Sequence, residues 1–304
     1  MALTRRTFLQ TLSLLGLSGI SARDLFAQGR EMITRPIPAS GERLPVIGMG
    51  TWQTFDTAGG EETERLLPVL RAFFQSGGAL IDTSPMYGRA EEVLGELLPR
   101  ARGGHRLFAA TKVWTHGKSD GVRQMQRSMR RVGVAKFDLI QVHNLRDWQV
   151  HLETLKQWKR EGKVRYIGVT TSHGRRHEEL AEIMARQPLD FVQFTYNLRY
   201  REAEQRLLPL AREHGMAVII NRPLDGGGLF SAVRGLPLPK WASEFDCQAW
   251  SQFFLKYIVS HPAVSCAIPA TSRVDHMREN MGAMYGRLPD PEMRRRMAAY
   301  LQKL

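Results

Sequence analysis

The stretch FDLIQVHNLRDWQVHLETLKQWKREGKVRYIGV, residues 137–169, contains one complete strand, helix and strand. Two short apolar runs, Phe137–Val142 and Val164–Val169, flank a segment of helical period at Trp148–Glu161. The same cadence continues in both directions. Upstream strands are expected at Val46–Gly50, Ala79–Asp82 and Leu107–Thr111, and downstream strands at Phe191–Phe194, Ala217–Ile220 and Val264–Ile268. The matching helices are expected at Glu61–Ser76, Glu91–Leu98, Asp120–Val132, Arg176–Ala185, Glu202–Glu213, Asp246–Ser260 and Arg273–Met284. A turn at Ser40-Gly41 makes an N-terminal hairpin of Met32-Ile33 with Leu44-Pro45, and an extra Arg-rich helix ends the chain at Asp290–Gln302. Eight such units in about 260 residues predict an α/β fold of the (β/α)8 TIM-barrel type. A doubly wound sheet would place G-x-G-x-x-G after its first strand, whereas Gly48-Met49-Gly50 runs on into Thr51-Trp52. No linker interrupts the cadence, so residues 28–304 form one domain.

The chain has 304 residues, 43% of them hydrophobic, which suffices for a large core and excludes disorder as the main state. No apolar run approaches the roughly 20 residues that span a bilayer. Cys247 and Cys266 are too few for a disulfide framework and lack neighbouring zinc ligands; they read as two buried thiols, with one bond between them left open. No metal is expected. The formal charge of +13 includes Arg123, Arg127, Arg130 and Arg131 on one helix and Arg294, Arg295 and Arg296 on the last. With no nucleic-acid module, this surplus reads first as a solvated exterior and second as weak attraction to a membrane surface.

Residues 4–10, TRRTFLQ, precede a weakly apolar stretch from Thr11 to Ile20 and then Ser21-Ala22-Arg23. A basic start, a short apolar segment and a small-residue site describe an export signal. The Arg5-Arg6 pair with Phe8 and Leu9 resembles a twin-arginine signal. Residues 1–27 are therefore expected to address the chain to the twin-arginine translocation machinery and the periplasm, and to leave no membrane span after cleavage. Their removal takes away only two net positive charges.

In a barrel, chemistry is sought at the C-terminal ends of the strands. The second strand ends in Asp82 and continues Thr83-Ser84-Pro85-Met86-Tyr87-Gly88, the third in Thr111-Lys112-Val113-Trp114, and the fourth in Val142-His143-Asn144. An acid, a phenol, an ammonium and an imidazole thus meet on one rim. A phenol with a pKa of about 10 is a weak acid at neutral pH. At about 4 Å, a cation contributes a gross interaction on the order of 4 kcal/mol toward the phenolate. Lys112 is placed to supply that field, Asp82 to hold Lys112, and His143 to orient a carbonyl oxygen.

At these residues the chain resembles the aldo-keto reductases. The match rests on Gly50-Thr51-Trp52, Asp82-Thr83-Ser84 with Tyr87-Gly88, Thr111-Lys112-Val113-Trp114, His143, Tyr166-Ile167-Gly168-Val169, Gln193 with Tyr196-Asn197, Ile268-Pro269 and Glu279-Asn280. The resemblance implies a barrel that binds NADP(H), with NAD(H) as the second candidate, and passes hydride to the carbonyl of a small-molecule aldehyde or ketone. It implies the tetrad Asp82, Tyr87, Lys112 and His143, with Tyr87 as general acid. It also implies a cofactor surface from Gly50, Thr51, Trp52, Thr170, Thr171, Gln193, Arg222, Leu224, Thr271, Ser272, Arg273, Glu279 and Asn280.

Three departures stand out. Thr170-Thr171 replaces the family's Ser-Asn pair, Asn221-Arg222-Pro223-Leu224 lacks the aromatic platform for nicotinamide, and Ala270 and His276 stand where many members have Lys and Arg. Arg222 can compensate through the pyrophosphate, since guanidinium pairs bidentately with phosphate. Trp52, Trp114 and His143 are the expected substrate walls, favouring an apolar or aromatic carbonyl compound. A low-turnover NADP(H)-binding sensor on the same barrel is the alternative reading.

Overall fold

The computed structural model describes residues 31–103 and 106–304; the expected export signal lies outside the described residues. The chain opens with an antiparallel hairpin, β1 (Thr34–Pro36) and β2 (Arg43–Pro45). Eight parallel strands follow: β3 (Met49–Gly50), β4 (Leu80–Asp82), β5 (Phe108–Val113), β6 (Phe137–Val142), β7 (Val164–Thr170), β8 (Phe191–Thr195), β9 (Ala217–Asn221) and β10 (Cys266–Ala267). Each pairs with the next in sequence. Parallel bridges between Ile47 and Ala267 and between Gly50 and Ala270 join the two edges, so the sheet closes as the expected barrel.

Helices surround the strands: α1 (Glu61–Glu64), α2 (Leu67–Gln75), α3 (Ala90–Leu97), α4 (Lys118–Val132), α5 (Trp148–Arg160), α6 (His177–Arg186), α7 (Leu207–Glu213), α8 (Gly228–Ala232), α9 (Trp250–Val259), α10 (Val274–Gly282) and α11 (Pro291–Leu301). In α4 the buried positions Gly121, Met125, Ser128 and Val132 recur every three to four residues, giving one face toward the sheet. Gly133 ends it in the left-handed conformation, φ 75°. The helix expected at Glu61–Ser76 is split into α1 and α2. Pro68 has no N–H to give the preceding turn, so it starts a helix instead of continuing one. Pro209 acts similarly in the segment expected at Glu202–Glu213, where a 3-10 turn at Glu202–Glu204 precedes α7. No helix among the described residues is long and apolar enough to cross a membrane.

The barrel interior is itself a core, containing Leu80, Phe108, Leu139, Phe191 and Ile219. Its N-terminal end would open to water without the hairpin. Ile37 and Leu44 bury themselves against that interior, and Ser40 Oγ lies 2.7 Å from the Tyr166 hydroxyl. Cys247 and Cys266 are both free thiols and buried. The extra helix α11 is capped by Asp290, whose carboxylate accepts from the Met293 amide at 2.8 Å.

Candidate active site

Alternation along the strands decides what reaches the rim. Leu80, Phe108 and Ala110, Leu139, Phe191, and Ala217 and Ile219 face the barrel interior. Counting in twos from them brings Asp82, Lys112, Gln141 and then His143, Gln193 and Asn221 to the C-terminal layer of the same face. Pairing sets their neighbours: Gly50 lies beside Asp82, Lys112 beside Gln141, and Thr170 beside Gln193.

Lys112 and Asp82 form a buried ion pair, Nζ to Oδ2 2.5 Å, and the ammonium also donates to the Thr83 carbonyl at 2.8 Å. The other carboxylate oxygen accepts from Gln193 Nε2 at 3.0 Å and Gln141 Nε2 at 3.5 Å. Burial works against the Lys112 charge, but Asp82 and Tyr87 outweigh it and hold its pKa above the usual lysine value. Its Nζ stands 5.0 Å from the centre of the Tyr87 ring. Burial raises the Tyr87 pKa above that of an ordinary phenol, while Lys112 pulls it down. The influence expected of Lys112 has the expected sign, and desolvation exceeds it.

His143 sits edge-on to Tyr87, ring centres 5.7 Å apart. Burial, helped by the Lys112 charge, lowers its pKa to about 2, so the imidazole is neutral. Its Nδ1 lies 3.0 Å from Ser84 Oγ, which accepts from the Met86 amide at 3.3 Å. Either of the two atoms can be the donor; one arrangement has the Ser84 hydroxyl donating to Nδ1. In that arrangement the neutral ring carries its proton on Nε2, as a donor.

Above these groups opens a cleft of about 450 Å³. Gly50, Thr51, Trp52, Asp82, Tyr87, His143, Gln193, Arg222 and Leu224 line it, together with Met86, Asn144, His173, Asn221 and Phe230. Lys112 lies fully buried beneath. Trp114 is not among the lining residues. Gln124 on α4 ties both its backbone amide (2.6 Å) and its backbone carbonyl (3.2 Å), and the Arg146 guanidinium covers its ring at 4.2 Å.

Thr170 and Thr171 are buried just behind the cleft wall. Thr170 Oγ1 accepts from the Asn144 amide at 3.2 Å, and Thr171 Oγ1 has no hydrogen-bond partner among the described residues. Asn221 takes part in hydrogen bonding at the position of the missing aromatic. It donates to the Thr171 carbonyl at 2.8 Å and to Gln193 Oε1 at 3.3 Å, and accepts from Thr195 Oγ1 at 2.7 Å. Arg222 reaches Asp225 at 3.5 Å and keeps its Nε buried without a partner among the described residues.

The residues expected at the adenosine end lie past Ala270, where the cleft lining stops. Thr271 Oγ1 accepts from the Arg273 amide at 3.1 Å, Ser272 is exposed, and the Arg273 guanidinium is engaged with Asp275 at 2.5 Å. Glu279 accepts from Ser251 at 3.2 Å, while Asn280 is buried. Met86, Phe230 and His173 are not among the sequence-expected site residues: Met86 and His173 occupy irregular loops, and Phe230 lies in the short helix α8 after β9. Met86 alone had a signal, lying between two matched motif residues, Ser84 and Tyr87.

Comparison with known proteins agrees with this geometry. The Aldo/keto reductase family matches residues 46–300. A methylglyoxal reductase of Escherichia coli is 28% identical over 258 residues, 82% of this chain and 89% of the relative. An uncharacterized oxidoreductase of Schizosaccharomyces pombe is 31% identical over 258 residues, 79% of each chain. Among solved structures, an aldo/keto reductase of Klebsiella pneumoniae in complex with NADP and acetate has a TM-score of 0.73 at 26% identity, covering 86% of this chain and 93% of that one. Since the family match runs from the approach to β3 into α11 and so takes in every strand that carries the rim, the chain belongs to the aldo/keto reductase family.

Proposed function

We propose that this reductase passes hydride from NADPH to the carbonyl carbon of an aldehyde or ketone while Tyr87 delivers the proton to oxygen. The observation that carries the reading is the buried Lys112–Asp82 pair beneath Tyr87, with a neutral His143 alongside. A sensor would need neither the buried ion pair nor the phenol beside it, which favours turnover.

The cleft suits a dinucleotide. Two polar atoms, Arg222 Nε of a lining residue and Thr171 Oγ1 just behind the wall, are buried without partners among the described residues. Gly226 and Gly227, both in left-handed conformations, let backbone approach a ligand closely. Gln193, Thr171 and Asn221 would hold the carboxamide end, and Arg222 the phosphates. NADPH, when bound, supplies the hydride. His143 Nε2–H orients the carbonyl oxygen. As that oxygen gains negative charge it takes the Tyr87 proton, and the phenolate left behind faces the Lys112 ammonium. Burial holds the Tyr87 phenol in its protonated form, the form that donates in reduction, and the Lys112 charge offsets part of that rise.

The substrate end is apolar. Trp52, Met86 and Phe230 are three of the six exposed large hydrophobic residues among the described ones, and all three surround this cleft. Such clustering marks a binding surface for an apolar substituent. The test is NADPH oxidation by the purified chain with a panel of aldehydes. Tyr87→Phe is expected to slow turnover by about 100-fold or more; an unchanged rate would sink the assignment.

Export to the periplasm rests on residues 1–27 alone, where Arg5-Arg6 precedes the weakly apolar stretch from Thr11 to Ile20. Arg5→Lys with Arg6→Lys should retain the protein in the cytoplasm, as followed by cell fractionation. Undiminished export would remove the twin-arginine route.

A further inference from the structure

The turn after β6 has an uncommon backbone. Asn144, Leu145 and Asp147 have φ of 52°, 53° and 51°, in the left-handed region. Asparagine visits that region readily, but leucine does not, and Leu145 is buried. Such a turn persists only where its surroundings dictate it. Here they do so from one segment, the last residue of β7 and the loop that leads from it to α6. Thr170 Oγ1 accepts from the Asn144 amide at 3.2 Å, Ser172 Oγ donates to Asn144 Oδ1 at 3.2 Å, and Arg176 Nη1 donates to the Asn144 carbonyl at 2.7 Å. Amide, carbonyl and side-chain oxygen of one residue are all held. Arg176 is itself oriented by two bonds of 2.6 Å to Glu179. The far end of the turn is tied separately, with Asp147 Oδ2 accepting from the Gly117 amide at 2.7 Å.

The residue just before this clamp is His143. Its ring is held from one side by Ser84, and its backbone continues directly into Asn144. A displacement of the turn would swing the imidazole relative to Tyr87, and a shift of about 1 Å can cost on the order of 100-fold in rate.

We propose that Arg176, acting with Thr170 and Ser172, is a positioning residue for the reduction: it fixes Asn144 and thereby the direction of His143 Nε2. The assignment rests on the reductase reading above. It gives Thr170 a duty toward the catalytic turn, whereas the resemblance implies a duty toward the cofactor. Arg176 does not itself line the cleft; it touches Asn144, which does, and so acts through that neighbour.

The experiment measures kcat, carbonyl KM and NADPH affinity, the last by nucleotide fluorescence, for the full chain and for Arg176→Met, Arg176→Lys, Thr170→Val, His143→Gln and the Arg176→Met/His143→Gln double variant. Arg176→Met should lower kcat about 10-fold with NADPH affinity changed by less than about 2-fold, and Arg176→Lys should recover part of the loss. In the His143→Gln background Arg176→Met should add nothing, because the group it positions is gone. A general packing defect would subtract again, and that result overturns the proposal, as does an unchanged kcat. Should Arg176→Met fail to fold, Thr170→Val, which removes one acceptor and keeps the shape, carries the same expectations. A His143 effect with no Arg176 or Thr170 effect overturns this assignment alone; equal rates for the unsubstituted chain and His143→Gln overturn the reading of the site as well.

Discussion

The two sides of the cleft are built differently. At the ends of β4 to β6 each charged group already has its counterpart: Lys112 lies on Asp82, and Gln193 and Gln141 take the remaining carboxylate oxygen. At the loop after β9, Arg222 holds Asp225 only at 3.5 Å and leaves its Nε buried without a partner among the described residues, as does Thr171 with its hydroxyl. A buried polar group without a partner costs free energy until something supplies one. Thr83 Oγ1 and Gln141 Oε1 on the first side also lack partners among the described residues, so the two sides differ in their charges: Lys112 and Asp82 are paired before any ligand arrives, as electrostatic catalysis requires, whereas Arg222 keeps only a long contact to Asp225. Substitutions on the catalytic side should damage stability and chemistry together, whereas those on the other side should damage binding alone.

The sharpest way to break this contrast is Lys112→Met. It leaves the Asp82 carboxylate buried without its cation, a defect that costs about 3–5 kcal/mol in comparable buried pairs. Urea unfolding should show that loss, and kcat should fall by at least about 100-fold. A variant as stable as the parent would mean that the ion pair does not organise the rim. Acid titration probes the same side through His143. Its pKa is depressed from 6.5 to about 2, so the unfolded chain binds the extra proton and the folded chain does not. The stability of the neutral imidazole is complete above about pH 6.5 and is lost as pH falls below that, by up to about 1.4 kcal/mol per unit. His143→Gln should flatten the acid limb of a stability–pH curve by that slope, and parallel curves would show that the imidazole is not buried neutral.

On the receiving side, Arg222→Met should weaken NADPH binding about 10-fold, the worth of one charge-assisted hydrogen bond, with the unfolding midpoint unmoved. A comparable fall in stability would place Arg222 with the structural groups and erase the distinction between the two sides.

How much of this was legible beforehand follows the same division. The cadence around residues 137–169 and the two-residue period of the strands suffice to bring Asp82, Lys112 and His143 to one rim, because strand alternation is a local property. Even the split of the first helix could be read at Pro68. The net direction of the Tyr87 pKa could not, because it depends on how much water the finished barrel excludes, and burial outweighs Lys112. Nor could the surroundings of Trp114, whose ring is covered by Arg146 from the next loop and does not line the cleft. Asn144 was visible only as the neighbour of His143. That its amide, carbonyl and side-chain oxygen meet Thr170, Arg176 and Ser172 depends on left-handed backbone in a loop, where sequence period carries no information.

The smallest expected effect tests the apolar end, where Trp52, Met86 and Phe230 surround the cleft. Each buried methylene contributes about 0.8 kcal/mol, or roughly a 4-fold rise in kcat/KM, while the chain of an aldehyde extends along Trp52, Met86 and Phe230. A series of straight-chain aldehydes should show that slope until the substituent leaves the cleft. Trp52→Ala or Phe230→Ala should make the slope shallower by about 2-fold per methylene or less, since each side chain provides only part of the surface. A flat series in the unsubstituted chain would argue that these three residues cover the cleft without gripping substrate. Their exposure would then need another occupant, and the contrast between the two polar sides would stand without a third, apolar one.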